Sequence, residues 1–198
     1  MLKKFLLTII LSVLALVPIN AQSVSDSVMV LPFENTSGKA ELNWIGESFA
    51  GSLSELLSGK WQQPVINGKP NTNNNLFGFN VISNEERKIK QLQQNIPLTS
   101  IPSLATSLRF ARKLNVKKLV IGNFDITNTL IENKEVPTIT AKVRMIDVEQ
   151  GTFDYEKDSK GEPILNNGKK VFKEIVINKT LTDLQSLQGE LAYQNFLF

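Results

Sequence analysis

The globular part of the sequence opens with an apolar segment, a short polar loop and an amphipathic helix. Residues 28–33 are almost continuously apolar, which is typical of a strand covered on both faces of a sheet. Residues 35–38 (Asn-Thr-Ser-Gly) have loop composition. Apolar residues then recur at helical spacing over residues 44–57, as in a helix of about four turns. A buried strand that leads through a loop into a helix restricts the chain to the α/β class.

Apolar segments further along predict the other layers of an α/β sandwich. Residues 139–145 alternate apolar and polar side chains, which indicates an antiparallel strand with one face in the core. Ile89 and Leu92 are expected to form the buried face of a helix that is capped by Asn84. The remaining predicted elements are strands at 79–83, 118–124 and 171–177 and a helix at 104–114. We therefore predict an α/β fold, a mixed sheet with helices packed on it.

The N-terminus has the three parts of a secretory signal peptide. Two lysines precede an apolar run at 5–17, and Ala21 offers a cleavage site before Gln22. The run is shorter than the ~20 residues that a membrane-spanning helix needs. We expect residues 1–21 to be removed, which leaves a mature exported domain of residues 22–198 with no membrane span.

Two stretches rich in asparagine, glycine and charged residues are predicted as long connections. These are residues 59–78, interpreted as a surface loop, and residues 154–170, interpreted as a charged loop or an extended hairpin tip. The last predicted helix spans residues 182–198 and begins with a capping-box pattern at Thr182 and Gln185.

The residue types that most enzymes use are scarce. The chain has no cysteine and no histidine, which removes thiol and imidazole catalysis and the metal sites that these side chains build. Glu34, Asp125 and Asp147 lie near predicted strand ends, but turn formation explains such carboxylates more simply. Lysines follow Gly59 and Gly68 without the spacing of a phosphate-binding loop. We predict no catalytic residue, no metal and no cofactor.

Net charge also limits the partners. Removing the signal peptide removes two lysines and no acid, so the net charge falls from +3 to +1. A chain that is nearly neutral has no polybasic surface by count, and we predict no nucleic-acid partner.

One loop remains a candidate for a small ligand. Backbone amides between a strand and the start of a helix can hold an anion. The residues of this candidate site are Glu34, Asn35, Thr36, Ser37 and Gly38. The other interpretation is a turn with a purely structural role.

Five segments, in order along the chain, resemble the amino-terminal domain of the TolB/CsgG-like envelope superfamily. The first is Leu-Pro-Phe-Glu-Asn-Thr-Ser-Gly followed by Trp-Ile-Gly-Glu-Ser-Phe, within residues 31–49. The others lie at 81–87, 114–122, 141–151 and 181–192. The most similar relatives are bacterial secreted proteins in which this domain precedes tetratricopeptide repeats.

The resemblance implies a mixed α/β domain that serves as a non-catalytic assembly or docking module. We therefore predict a periplasmic protein-interaction module of the bacterial cell envelope. Its partner would be another envelope protein, its own downstream repeats or a second copy. The predicted contact is an exposed apolar patch on the last helix, formed by Leu191, Phe196, Leu197 and Phe198. The alternative is a small-ligand or nucleotide-binding domain that uses the turn at 34–38.

Overall fold

A computed structural model describes residues 27–59 and 79–196. The expectations for the signal peptide at 1–21 and for the loop at 60–78 lie outside these residues. In chain order the elements are β1 (Ser27–Val30), β2 (Glu34–Asn35), α1 (Trp44–Leu57), β3 (Asn80–Val81), α2 (Asn84–Gln93), α3 (Leu104–Lys113), β4 (Lys118–Ile131), β5 (Lys134–Asp147), β6 (Thr152–Phe153), β7 (Leu165–Asn166), β8 (Lys169–Lys170), β9 (Ile175–Thr180) and α4 (Leu184–Phe196).

The main sheet is mixed, as the sequence predicts. β1 lies between β3 and β4 and is parallel to both, so it is the buried strand expected at the start of the domain. β4 and β5 form a long antiparallel hairpin, and β6 and β9 both pair with β5 on its other edge. The segment 154–170 contains a separate hairpin of β7 and β8, so the hairpin interpretation of this segment is confirmed.

Helices cover both faces of this sheet. One face packs under α1 and α4, where Phe33 and Phe124 meet Phe49 of α1. The opposite face packs against α3 through Phe110 and Ala111. The architecture is therefore a helix–sheet–helix sandwich, which confirms the predicted α/β class.

The strand that leads into α1 contains one extra residue. Val30 pairs with Val120 and Glu34 with Asn123, so three residues lie between these pairs on this strand and two on β4. The interruption includes Pro32, which has no N–H to donate to the sheet. An extra residue of this kind bends a strand and changes the direction of the following side chains.

Phe33 lies at this bend and contacts two glycines. Its backbone N–H donates to the carbonyl of Gly46 in α1, at 3.2 Å. A Cβ added at Gly46 would lie 2.2 Å from the Phe33 carbonyl oxygen, and one added at Gly122 would lie 2.6 Å from the Phe33 ring. The Phe33 ring stacks on Phe49 with centroids 4.6 Å apart. Both glycines are therefore required by close packing around Phe33.

Helix α2 faces the opposite way from the sequence prediction. Ile89 and Leu92 are 56% and 58% exposed, so the expectation that they form a buried face is wrong. The buried positions of α2 are Arg87 and Gln91. The helix is also capped one residue earlier than expected, because the hydroxyl of Ser83 accepts the N–H of Glu86.

Polar contacts explain why α2 takes this orientation. The Arg87 guanidinium, only 1% exposed, donates to Glu47 of α1 at 2.7 Å and to Asn84 at 2.6 Å, and it also bonds Gln91. Lys88 lies 3.4 Å from the same carboxylate oxygen of Glu47. Burial lowers the pKa of Arg87, and the attraction of Glu47 opposes this shift. A buried cation with several acceptors holds its helix in one orientation, because any other orientation breaks those bonds.

The start of α4 also differs in detail from its prediction. A 3-10 turn (Leu181–Asp183) precedes the helix. The Thr180 hydroxyl bonds Asp183 at 2.7 Å and Thr182 at 2.9 Å, in place of the expected pairing of Thr182 with Gln185. The predicted apolar face of this helix is confirmed by the burial of Leu187.

Gly46→Ala should destabilise the fold by at least about 2 kcal/mol, because the new methyl overlaps the Phe33 carbonyl. Gly51→Ala is a matched control in the same helix, since its added Cβ meets only the Asn84 amide at 3.6 Å. That control should be neutral or stabilising by up to about 1 kcal/mol. Urea unfolding followed by circular dichroism measures both changes, and equal stabilities of the two variants would refute the close contact.

Arg87→Ala should lower the free energy of unfolding by about 2–3 kcal/mol, because it leaves the buried Gln91 side chain without its donor and removes the bonds to Glu47 and Asn84. Lys88→Ala removes the other cation beside Glu47 but from a more exposed position. It should cost less than about 1 kcal/mol. Urea titration measures the free energy of unfolding of both variants. A decrease in Arg87→Ala as small as that in Lys88→Ala would contradict the role of the buried network.

Candidate functional site

A cleft of about 490 Å³ opens where the chain leaves β1 and enters α1. Clefts at the carboxyl ends of parallel strands are the usual binding sites of α/β sheets. One wall is the strand–turn–helix segment, and the other is the connector between α2 and α3. We call this feature the Trp44 cleft; its lining residues are Pro32, Phe33, Glu34, Asn35, Asn43, Trp44, Glu47, Leu98, Thr99, Ser100 and Ile101.

The Asn35 side chain organises the turn beside the cleft. Its Nδ2 donates to the carbonyl of Lys39 and to Oδ1 of Asn43, both at 2.8 Å. Its Oδ1 accepts the backbone N–H of Ser37 at 3.0 Å and the Ser37 hydroxyl at 2.6 Å. This is the local bonding by which asparagine stabilises turns.

The rest of the predicted ligand loop is also used within the fold. Both the backbone N–H and the hydroxyl of Thr36 donate to the carbonyl of Phe124, each at 2.9 Å. Gly38 has a φ of +73°, which glycine tolerates at no steric cost. Of the five candidate residues, Glu34 and Asn35 line the cleft, whereas Thr36, Ser37 and Gly38 lie outside its lining. These bonds favour the structural interpretation of this turn.

The charges of the cleft are negative. Glu34 and Glu47 are its charged lining residues, and no lysine or arginine is among them. Glu47 is compensated by Arg87 and Lys88. Among the residues described, Glu34 has no ion pair, and its side chain is exposed. A phosphate group needs cationic or amide donors, so this lining disfavours a nucleotide.

The apolar part of the cleft could not be recognised from helical spacing alone. Trp44 is 59% exposed, and Leu98 and Ile101 are exposed as well. The sequence pattern places Trp44 on the buried stripe of α1, but the stripe begins one residue later at Ile45. One residue corresponds to roughly 100° around a helix, enough to turn the indole into solvent.

A second cavity, of about 670 Å³, lies between the end of the β4–β5 hairpin and the segment after β6. Lys118 lies 3.4 Å from Asp147 and 3.5 Å from Asp154 within it. The backbone N–H of Gln150 donates to Asp147, and this bond, with the nearby Lys118 ammonium, lowers the pKa of Asp147 although partial burial opposes the shift. The cation and the two carboxylates compensate one another and hold this end of the sheet together.

The carboxylates singled out in the sequence do not form one site. Asp147 pairs with Lys118 at the start of β4, whereas Asp125 lies seven residues further along that strand (125 minus 118). At the rise of a β-strand, this separation is about 23 Å. Asp125 accepts its neighbour's N–H, that of Ile126, at 2.8 Å. The two aspartates have the local structural roles that their turn-forming chemistry suggests.

The structure removes Leu191 from the apolar patch that the sequence predicts on the last helix. Leu191 is 0% exposed and belongs to the core under α1, so it cannot contribute to a surface contact. Its burial follows from the same apolar stripe that includes Leu187. Phe196 is the last residue of α4. The side chain of Phe196, and all of Leu197 and Phe198, lie outside the part that the structure describes.

Metal clusters and membrane-spanning helices are both absent from the described residues. No group of three or more acidic, histidine or cysteine side chains within residues 27–59 and 79–196 is arranged to hold a metal ion. In the same part of the chain, no helix is long and apolar enough to cross a membrane.

Comparison with known proteins gives structural similarities at low sequence identity. No family model and no curated protein sequence matches the chain. The lipoprotein GNA1162 from Neisseria meningitidis has 16% identity and a TM-score of 0.46, over 86% of this chain and 97% of that one. The LpoB C-terminal domain from Salmonella enterica has 8% identity and a TM-score of 0.44, over 79% and 83%.

A third similar structure is the PelC dodecamer from Paraburkholderia phytofirmans. It has 15% identity and a TM-score of 0.41, over 86% of this chain and 84% of that one. None of these three names refers to TolB or CsgG, so the resemblance to that superfamily stays a prediction.

Proposed function

We propose that this protein is a non-catalytic protein-interaction module of the bacterial cell envelope, exported to the periplasm. The observation that carries the proposal is the orientation of α2. Its apolar residues Ile89 and Leu92 point to solvent while Arg87 and Gln91 are buried. We call the surface formed by Ile89 and Leu92 the outward face of α2.

An outward apolar face needs a reason, because a helix normally buries such residues. Ile89 and Leu92 are three positions apart and are therefore neighbours on the helix surface. Turning them inward would expose Arg87 and break its bonds to Glu47 and Asn84. The fold therefore keeps an apolar pair in water, and contact with another protein would remove this apolar surface from water.

The predicted signal peptide supports the proposed location. A chain that is exported and then cleaved before Gln22 reaches the periplasm, where envelope assemblies form. The absence of histidine and cysteine from the sequence supports a function without catalysis. The resemblance to envelope docking domains agrees with both points.

The alternative function is a small-ligand domain that uses the turn at 34–38. The Trp44 cleft is the observation in its favour, because Glu34 and Asn35 line it. Its negative lining makes a nucleotide a poor ligand. The alternative therefore requires a neutral or cationic small molecule.

The outward face of α2 should lie at the contact with the partner. A photo-crosslinking amino acid placed at Leu92 of the full chain in its bacterial host should give a discrete adduct after irradiation. The same amino acid at Val176, which is 48% exposed on β9, is the matched control and should give none. Equal labelling at both positions, or no adduct at Leu92, would count against the proposal.

Polar substitution of that face provides a second arm of the same test. Ile89→Asn with Leu92→Asn should abolish a crosslink formed from a neighbouring position, Gln93. The exposed sites should tolerate it, with each change altering the free energy of unfolding by no more than about 0.5 kcal/mol. An undiminished crosslink in the doubly substituted protein would show that the outward face is not the contact.

A further inference from the structure

We infer that the Trp44 cleft binds a segment of a partner protein that presents a lysine or arginine side chain beside apolar residues. The inference deepens the proposed function and rests on it, because it assigns the chemistry of the partner. The two parts of the cleft, one charged and one apolar, each recognise one part of such a segment.

The charge of the cleft selects a cation. Glu34 lines the cleft, is exposed, and has no ion pair within the described residues. The other carboxylate, that of Glu47, already contacts Arg87 at 2.7 Å and Lys88 at 3.4 Å. A cation that enters the cleft would therefore pair with Glu34, in the charge-assisted hydrogen bond that guanidinium and ammonium groups make with carboxylates.

The aromatic wall favours the same group. Trp44 is the first residue of α1 and is 59% exposed. The face of an indole attracts a lysine ammonium or an arginine guanidinium, and tryptophan does so more strongly than the other aromatic residues. Glu34 and Trp44 line the same cleft, so a cationic ligand held there meets a carboxylate and an aromatic group.

The opposite wall explains why the ligand is a protein segment and not a free cation. Leu98 and Ile101 are exposed apolar residues on the connector between α2 and α3. Covering them stabilises a complex only if the ligand carries apolar groups next to its charge. A basic residue flanked by aliphatic or aromatic residues provides this combination.

The test selects peptides on the mature protein from a library of random heptapeptides. Enriched peptides should carry a lysine or arginine next to apolar residues. The strongest binder and its version with glutamine at the basic position are then synthesised and measured by isothermal titration calorimetry. Glu34→Gln should weaken the affinity of the protein for the basic peptide about tenfold. Trp44→Leu should weaken it roughly two- to fivefold.

Glu41→Gln is the matched control, since Glu41 is exposed near the same turn but does not line the cleft. It should leave the affinity unchanged, and the glutamine peptide should bind wild-type protein at least as weakly as the basic peptide binds Glu34→Gln, because a neutral side chain loses the attraction of both Glu34 and Trp44. The inference is overturned if no peptide is enriched, if the enriched peptides lack a basic residue, or if Glu34→Gln behaves like Glu41→Gln.

The experiment separates this inference from the proposed function. A crosslink at Leu92 together with equal peptide binding by Glu34→Gln and wild type would refute the chemistry of the cleft and leave the interaction module in place. Selective binding of basic peptides without any crosslink at Leu92 would support the cleft and refute the outward face of α2.

Discussion

The packing of α1 against Phe33 is the constraint on which the remaining architecture depends. The helix comes so close to the Phe33 carbonyl that position 46 has no space for a side chain, and the Phe33 ring excludes a side chain at Gly122 on β4. The Phe33 ring also lies in the cluster that α1 and α4 cover. One residue therefore fixes the distance between the helix and the strand through its backbone, and the distance to β4 through its ring.

The bend at Phe33 determines the surroundings of the cleft. Because the strand gains one residue between Val30 and Glu34, the chain turns and the Asn35 network closes the loop before α1 begins. The first residue of α1, Trp44, then remains at the surface. The second wall is positioned by a different interaction, the buried Arg87 that joins α2 to Glu47. Close packing on one side and a polar network on the other thus define the two walls.

The fold could be predicted from the sequence further than the site could. The alternation along residues 139–145 predicts a strand with one buried face, and the apolar run at 28–33 predicts a fully buried strand. The structure confirms both predictions. The orientation of α2 could not be predicted in this way, because the spacing of Ile89 and Leu92 is the same whether their face meets the core or water. Only Glu47, about forty residues earlier, decides between these orientations, and a contact at that separation leaves no local pattern. The exposure of Trp44 could not be predicted for a related reason, since apolar spacing does not show whether the buried stripe of a helix begins at one apolar residue or at the next.

The burial of α4 has a consequence for the order of folding. Leu187 and Leu191 fill the core under α1, and Gln188 bonds Ser48 across a separation of 140 residues. The first helix thus cannot cover its apolar face completely until the last one has been synthesised. Contacts between such distant parts of a chain slow folding, because the long intervening segment must first be ordered. A nascent or partly exported chain therefore has an incomplete core, and the domain reaches its full packing only when both ends meet.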